Sequence, residues 1–400
     1  MTTLRSPLHE IKLRSPRGER ARKFLLPPPV GGSVDLLMIA GEHSGDEHAA
    51  RLIRSLRQDE PGLQVSALGG PAMAEAGAHV LHDMTASSVV GLVEVLKNYP
   101  FFKALFDATL AWIDTYRPRA VLFIDYPGFN LRLAAALREK GISVKGGGPV
   151  KTLFYISPQI WAWKAKRRFA MARDLDALAV IFPFEVACYA DTTLPVTFVG
   201  HPFLEEGHQA AVRYDPTGPI LLLPGSRKQA VGRIFPALLA GFLAYGKREA
   251  RVVYPSALIR EQIQANPLPS SVTLIPSGSP VAASAVLTSS GTMSLHCALA
   301  GIPGAIAYRA NPLTYLMGRW LLRVPYLGIA NLLLREPMYP EFLQHAATPE
   351  ALADELRASL ENSDRIEQTK KQAETLRTIL RQPAGTTIGA WVQQHLTDRP

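Results

Sequence analysis

Two turns in this chain carry the residue types that hold phosphate. Leu223-Pro224-Gly225-Ser226-Arg227 closes a short apolar run and opens a helical pattern. Glycine lets a ligand approach the backbone, the free N–H groups of a helix start attract an anion, and an arginine adds a fork of donors. Ser289-Ser290-Gly291-Thr292 repeats the arrangement with hydroxyls. Each also reads as an ordinary strand–helix turn; two in one half point to a single nucleotide ligand there. Asp125 ends another apolar run. A carboxylate there faces a cleft and can act as a general base, or it can cap a turn. Glu42, Ser44, Gly45 and Asp46 fill an earlier Gly-rich turn, where the carboxylates suit either sugar hydroxyls or the cap of a helix from about Glu47. No P-loop and no Gly-x-Gly-x-x-Gly occurs, so no nicotinamide cofactor is indicated. His43, His48 and His201 lack zinc-helix spacing, and Cys188 and Cys297 stand far apart, so neither a metal site nor a disulfide scaffold is expected.

The elements that must position these residues alternate. Apolar runs at 34–40, 120–124, 152–156, 177–182 and 196–199 read as buried parallel strands in the first half. Runs at 220–223, 251–254, 272–275, 285–288 and 304–308 repeat the plan, with helices over 229–245, 350–360 and 364–380. The pattern predicts an α/β protein of two Rossmann-like domains, 34–200 and 201–400, with a ligand cleft between them at the strand carboxyl ends. Residues 1–33 are read as a disordered basic leader, with seven basic against two acidic residues, a proline run and no signal-peptide core.

Composition narrows the function classes. With 47% hydrophobic and 19% charged residues the chain has material for two cores and is not disordered throughout. No run approaches the roughly 18 apolar residues of a membrane span. The net charge of +9 comes without a basic stripe in the body, which is weak evidence for nucleic acid and fits phosphorylated ligands or an anionic membrane surface at least as well. Residues 89–112 hold a dense apolar set beside Lys97 and Lys103. A core helix pair or a surface for acyl chains both account for it.

Several strings together resemble lipid-A-disaccharide synthase. They are Ala40-Gly41-Glu42-His43-Ser44-Gly45-Asp46, Gly69-Gly70-Pro71-Ala72-Met73, Val90-Gly91-Leu92-Val93-Glu94-Val95-Leu96 and Ile124-Asp125-Tyr126-Pro127-Gly128-Phe129-Asn130. Tyr155 to Lys164, with two tryptophans and a cationic run after it, joins them, as do Phe182-Pro183-Phe184-Glu185 and Gly200-His201-Pro202. The second half adds Leu223 to Arg227, Ser290-Gly291-Thr292, Asn331-Leu332-Leu333 and Pro340-Glu341-Phe342-Leu343-Gln344.

The resemblance implies an inverting, metal-independent GT-B glycosyltransferase. Such an enzyme joins UDP-2,3-diacylglucosamine to 2,3-diacylglucosamine 1-phosphate, releasing UDP and a β(1→6) disaccharide for lipid A. Asp125 matches the family's base and Arg227 its UDP-associated arginine. Glu42, Ser44, Gly45, Asp46 and Asn130 match cleft residues, and Asn331 and Gln344 match residues near the donor. Ser226, Ser290, Gly291, Thr292 and His296 complete the expected donor set. The family implies a cytoplasmic protein peripheral to the inner membrane, with a homodimer built through the C-terminal region. This chain departs from the family pattern at Ala230, Ser284, Ile329-Ala330 and His296, the last standing where a glutamate usually binds ribose. A non-catalytic lipid-binding paralogue, or an enzyme for another nucleotide sugar, are the competing readings of those departures.

Overall fold

Every strand of the two main sheets runs parallel, and each sheet follows the doubly wound order. The computed structural model describes residues 24–85, 99–204, 210–246, 248–311 and 324–397. The first sheet comprises β1 (Leu36–Ala40), β2 (Val65–Gly69), β3 (His79–Asp83), β4 (Ala120–Ile124), β5 (Lys151–Tyr155), β6 (Ala177–Val180) and β7 (Val196–Phe198). Its spatial order is β3-β2-β1-β4-β5-β6-β7. The second comprises β9 (Ile220–Leu223), β10 (Ala250–Tyr254), β11 (Val272–Pro276), β13 (Ala285–Thr288), β14 (Gly304–Tyr308) and β15 (Glu341–Leu343). Its order is β11-β10-β9-β13-β14-β15, the same winding. A small ribbon pairs β8 (Val212–Tyr214) with β12 (Val281–Ala283).

The central strands β1, β4, β9 and β13 are buried along their whole length. Helices cover both faces of each sheet, as the apolar runs require. In such a sheet the strand order reverses between two central strands, and loops leaving the carboxyl ends there diverge to open a crevice. The reversals fall between β1 and β4 and between β9 and β13. The four turns singled out by residue type leave the carboxyl ends of those four strands. The fold thus gathers them into two crevices.

The chain's last helix, Ile388–Thr397, returns to the first sheet. Trp391 and Val392 lie in one continuous core with Leu52 and Ile53 of the helix His43–Asp59. Lys151 Nζ donates to the His395 carbonyl at 2.8 Å. Residues 24–33 of the stretch read as a leader are among the described residues. Phe24 and Leu26 pack against the first core, and the Trp112 indole N–H donates to the Pro27 carbonyl at 2.9 Å. Residues 1–23 lie outside the described residues.

The apolar segment 89–112 is described from Tyr99 onward, in the helix Tyr99–Tyr116. There Leu105, Leu110 and Trp112 are buried, as a core helix requires. Among the described residues no helix is long and apolar enough to cross a membrane.

Candidate active site

Asp125 stands on an unusual piece of backbone. It and Tyr126 both adopt left-handed conformations, with φ of 46° and 49°. Two successive non-glycine residues there are costly, and such strain persists only where the surroundings enforce it. Asp125 N–H donates to the Tyr155 carbonyl at 3.0 Å, fixing the end of β4 to the end of β5. The Asn130 side-chain amide donates to the Asp125 carbonyl at 2.7 Å from below. Gly41 leaves room for the Tyr126 ring, since a Cβ at residue 41 would stand 2.3 Å from it. These contacts fix the carboxylate at the mouth of the first crevice.

Its environment makes Asp125 a stronger base than an ordinary aspartate. Burial comes first and the nearby Glu42 charge second, and together they raise its pKa from 3.8 to about 6. The Tyr126 N–H and the Arg227 charge oppose the rise. The group is therefore mostly ionised at neutral pH and well matched to accept a proton.

Arg227 reaches the first crevice from the second. Its Nη2 lies 3.5 Å from Glu42 Oε1, across 185 positions of sequence. The arginine side chain is 79% exposed, so this is a loose pair worth at most about 1 kcal/mol. It is free to turn to a stronger anion. Around it, Gly225 takes a φ of 101° and sits against Ser289, so the turns after β9 and β13 touch. Ser226, Gly291 and Thr292 are exposed at the starts of the helices Lys228–Tyr245 and Thr292–Leu299, with Ser290 half-buried beside them. A cavity of about 500 Å³ opens beside the first of these helices. Gly232, Arg233, Pro236, Arg309, Ala310, Gln344 and His345 line it. Gln344 exchanges two hydrogen bonds with the backbone of Ala310, which fixes its side chain at the cavity wall.

Other expected site residues do structural work. Asp46 is buried, and its carboxylate accepts from the N–H groups of Gly70, Ala72 and Met73. That caps the short helix Pro71–Glu75 and leaves no free face for a sugar. Gly45 is buried beneath the same turn, while Ser44 is exposed at its mouth. Asn130 is fully buried and acts through Asp125 rather than on a ligand. Asn331 is likewise buried, exchanging hydrogen bonds with the backbone of Tyr339 and donating to Glu341. Glu341 in turn accepts from the Leu327 and Gly328 N–H groups, so the pair braces the chain leading into the helix Ile329–Leu334.

His296 faces an aromatic group. Its ring centroid lies 3.5 Å from that of Phe203, which packs in turn against His201 and His48. Ser284 lies at the amino end of β13, far from the ligand edge, where its hydroxyl donates to the Gly218 carbonyl at 2.7 Å. That departure from the family pattern is therefore structural. Among the described residues no group of three or more His, Cys, Asp or Glu is placed to hold a metal ion.

One neighbour of Asp125 receives no role from the sequence. Glu185 is 2% exposed, accepts from the Phe182 N–H and takes the Trp161 indole N–H at 3.3 Å. Burial, with Asp125's charge adding to it, pushes its carboxyl up to about 8. It is thus mostly protonated at neutral pH and adds little negative charge near Asp125. The signal was present: Pro183 at the first helical position and Glu185 at the third form a helix-start pattern.

The chain matches known proteins over most of its length. The family model described as lipid-A-disaccharide synthetase matches residues 36–387. The lipid-A-disaccharide synthase of Nitrosococcus oceani is 36% identical over 355 residues, spanning 84% of this chain and 89% of that protein. Lipid-A-disaccharide synthase 1 of Legionella pneumophila subsp. pneumophila is 37% identical over 332 residues, spanning 78% and 84%. Among solved structures, the kitacinnamycin glycotransferase superposes with a TM-score of 0.56 at 15% identity, covering 92% of this chain and all of that one. The spinosyn forosaminyltransferase SpnP gives 0.56 at 14% identity, covering 91% and 100%. The fold is GT-B, as the resemblance implied.

Proposed function

This chain belongs to the lipid-A-disaccharide synthetase family, and from that membership we propose how its cleft joins two acylated sugars. The protein is a glycosyltransferase that makes the lipid A disaccharide. Its donor is UDP-2,3-diacylglucosamine and its acceptor is 2,3-diacylglucosamine 1-phosphate. The observation that carries this reading is the approach of Arg227, from the second crevice, to Glu42, whose charge acts on Asp125 in the first.

The donor diphosphate lies against the turns after β9 and β13. There Arg227, the two helix starts and the hydroxyls of Ser226, Ser290 and Thr292 meet its charge. Arg227 exchanges its loose partner Glu42 for the diphosphate, which draws the two halves onto one ligand. The acceptor's 6-hydroxyl sits at Asp125. Its oxygen forms the new bond to the anomeric carbon as the diphosphate oxygen leaves with the bonding electron pair. Asp125 takes the hydroxyl proton. One displacement inverts the anomeric centre, giving the β linkage. The departing UDP carries its developing charge into the donors already aimed at it.

Both sugars carry two acyl chains, so the reaction is placed at the cytoplasmic surface of the inner membrane with the enzyme bound peripherally. The division into an acceptor half up to residue 200 and a donor half beyond it is part of this reading, with the last helix closing back onto the acceptor half. Titration of the purified protein with UDP tests the donor site. Saturable binding in competition with the donor sugar is expected, and no binding by a folded protein would reject the assignment.

A further inference from the structure

The first sheet has a second surface at the same edge as Asp125. The loop after β5 and the loop after β6 leave the carboxyl ends of the next two strands along the sheet from β4. Seven large hydrophobic side chains are markedly exposed among the described residues, and four of them lie here: Trp163, Phe169, Phe184 and Val186. The loops are tied together by Arg168, whose guanidinium pairs with Asp191, and by Trp161 packed edge-on to Phe184 at 5.6 Å. Cations are interleaved with the exposed rings. Lys164 Nζ lies 4.6 Å from the centre of the Trp163 ring, and Arg167 lies 5.6 Å from it. Lys164 and Lys166 are exposed, and among the described residues no carboxylate pairs with Lys164, Lys166 or Arg167.

A soluble protein gains nothing by holding tryptophan and phenylalanine in water beside unpaired cations. An anionic bilayer surface satisfies both at once. Aromatic rings settle at the headgroup level, and lysine and arginine keep their charges against lipid phosphate. We propose that Trp163, Phe169, Phe184 and Val186, with Lys164, Lys166 and Arg167, form the face on which this protein docks to an anionic phospholipid membrane. The inference deepens the reading of the acceptor half, on which it rests. A bilayer at this face lies at the strand edge that carries Asp125, so an acylated acceptor needs to rise only partly from the lipid to present its hydroxyl.

The test uses the full chain and vesicles of phosphatidylcholine, with or without phosphatidylglycerol. The wild type is expected to sediment with the mixed vesicles and little with phosphatidylcholine alone. Each cation near such a surface is worth roughly a fivefold change in partitioning, so the Lys164→Glu/Lys166→Glu/Arg167→Glu variant should lose at least about 100-fold. Trp163→Ala/Phe169→Ala should weaken binding to the same vesicles, whereas Leu243→Ala, at an exposed position elsewhere, should not. Retained turnover of detergent-dispersed substrates by the charge variant shows that the fold and the reaction survive, and keeps a failure of docking distinct from a failure of the assigned reaction. Equal sedimentation of the wild type and the charge variant, or equal binding to both kinds of vesicle, would overturn the proposal.

Discussion

Replacing Asp125 by asparagine should cut turnover by at least about 100-fold and stabilise the protein together. Asparagine tolerates the left-handed backbone at φ 46° and keeps the shape of the side chain, so the fold survives. It cannot take a proton, and loss of a general base costs on the order of 10²-fold or more in rate. The stability argument follows from the pKa. Asp125 ionises at about 6 in the folded protein against 3.8 unfolded. The folded state therefore holds the proton more tightly, and keeping the group charged at pH 7 costs at most about 3 kcal/mol. That cost is absent below pH 4 and grows as pH rises through 6. The asparagine variant should melt higher than the wild type at pH 7, and the difference should vanish near pH 4. The wild-type rate should follow the same ionisation, falling about tenfold from its plateau at pH 5. Scanning calorimetry and initial rates across that range measure both effects. An inactive variant that melts lower at pH 7 would refute the burial argument. A variant with near-normal turnover would refute the base.

Arg227→Ala should raise the donor KM by at least about tenfold, the scale of a charge-assisted contact, and leave the acceptor KM unchanged in initial-rate measurements. Asp46→Ala strands three buried N–H groups, so it should lower stability by about 3 kcal/mol in denaturant titrations. The properly folded fraction should keep both KM values, which separates a capping aspartate from a sugar ligand. His296→Glu releases the ring from Phe203 and supplies a carboxylate for ribose. It should tighten UDP binding by about tenfold in a calorimetric titration, or ~1.4 kcal/mol.

The central strands were legible because a strand buried on both faces must be an unbroken apolar run. The runs ending at Ala40, Ile124, Leu223 and Thr288 satisfy that rule, and all four lead into cleft turns. β2 and β3 passed unread because Ser66, His79 and His82 interrupt their patterns, although Ser66 is itself buried. The return of Ile388–Thr397 to the first sheet is a long-range contact that no local pattern announces.

The reading of residue roles divides along a physical line. An exposed arginine after a glycine turn has few tasks besides meeting an anion, and Arg227 is 79% exposed at the turn after β9. A small polar residue near a turn can hold either ligand or backbone, and its type does not distinguish them. Asp46, Asn130 and Asn331 all hold backbone. Glu185 went unassigned for the converse reason: a helix-start glutamate looks ordinary until its burial beside Asp125 is seen.

The most direct test supplies the full chain with UDP-2,3-diacylglucosamine and 2,3-diacylglucosamine 1-phosphate and quantifies both products in one sample. The account predicts UDP and disaccharide in equal amounts, with the new bond β(1→6) by NMR and both products formed at least about 100-fold more slowly with Asp125→Asn. UDP released without disaccharide, or an α linkage, would contradict a single displacement driven by Asp125.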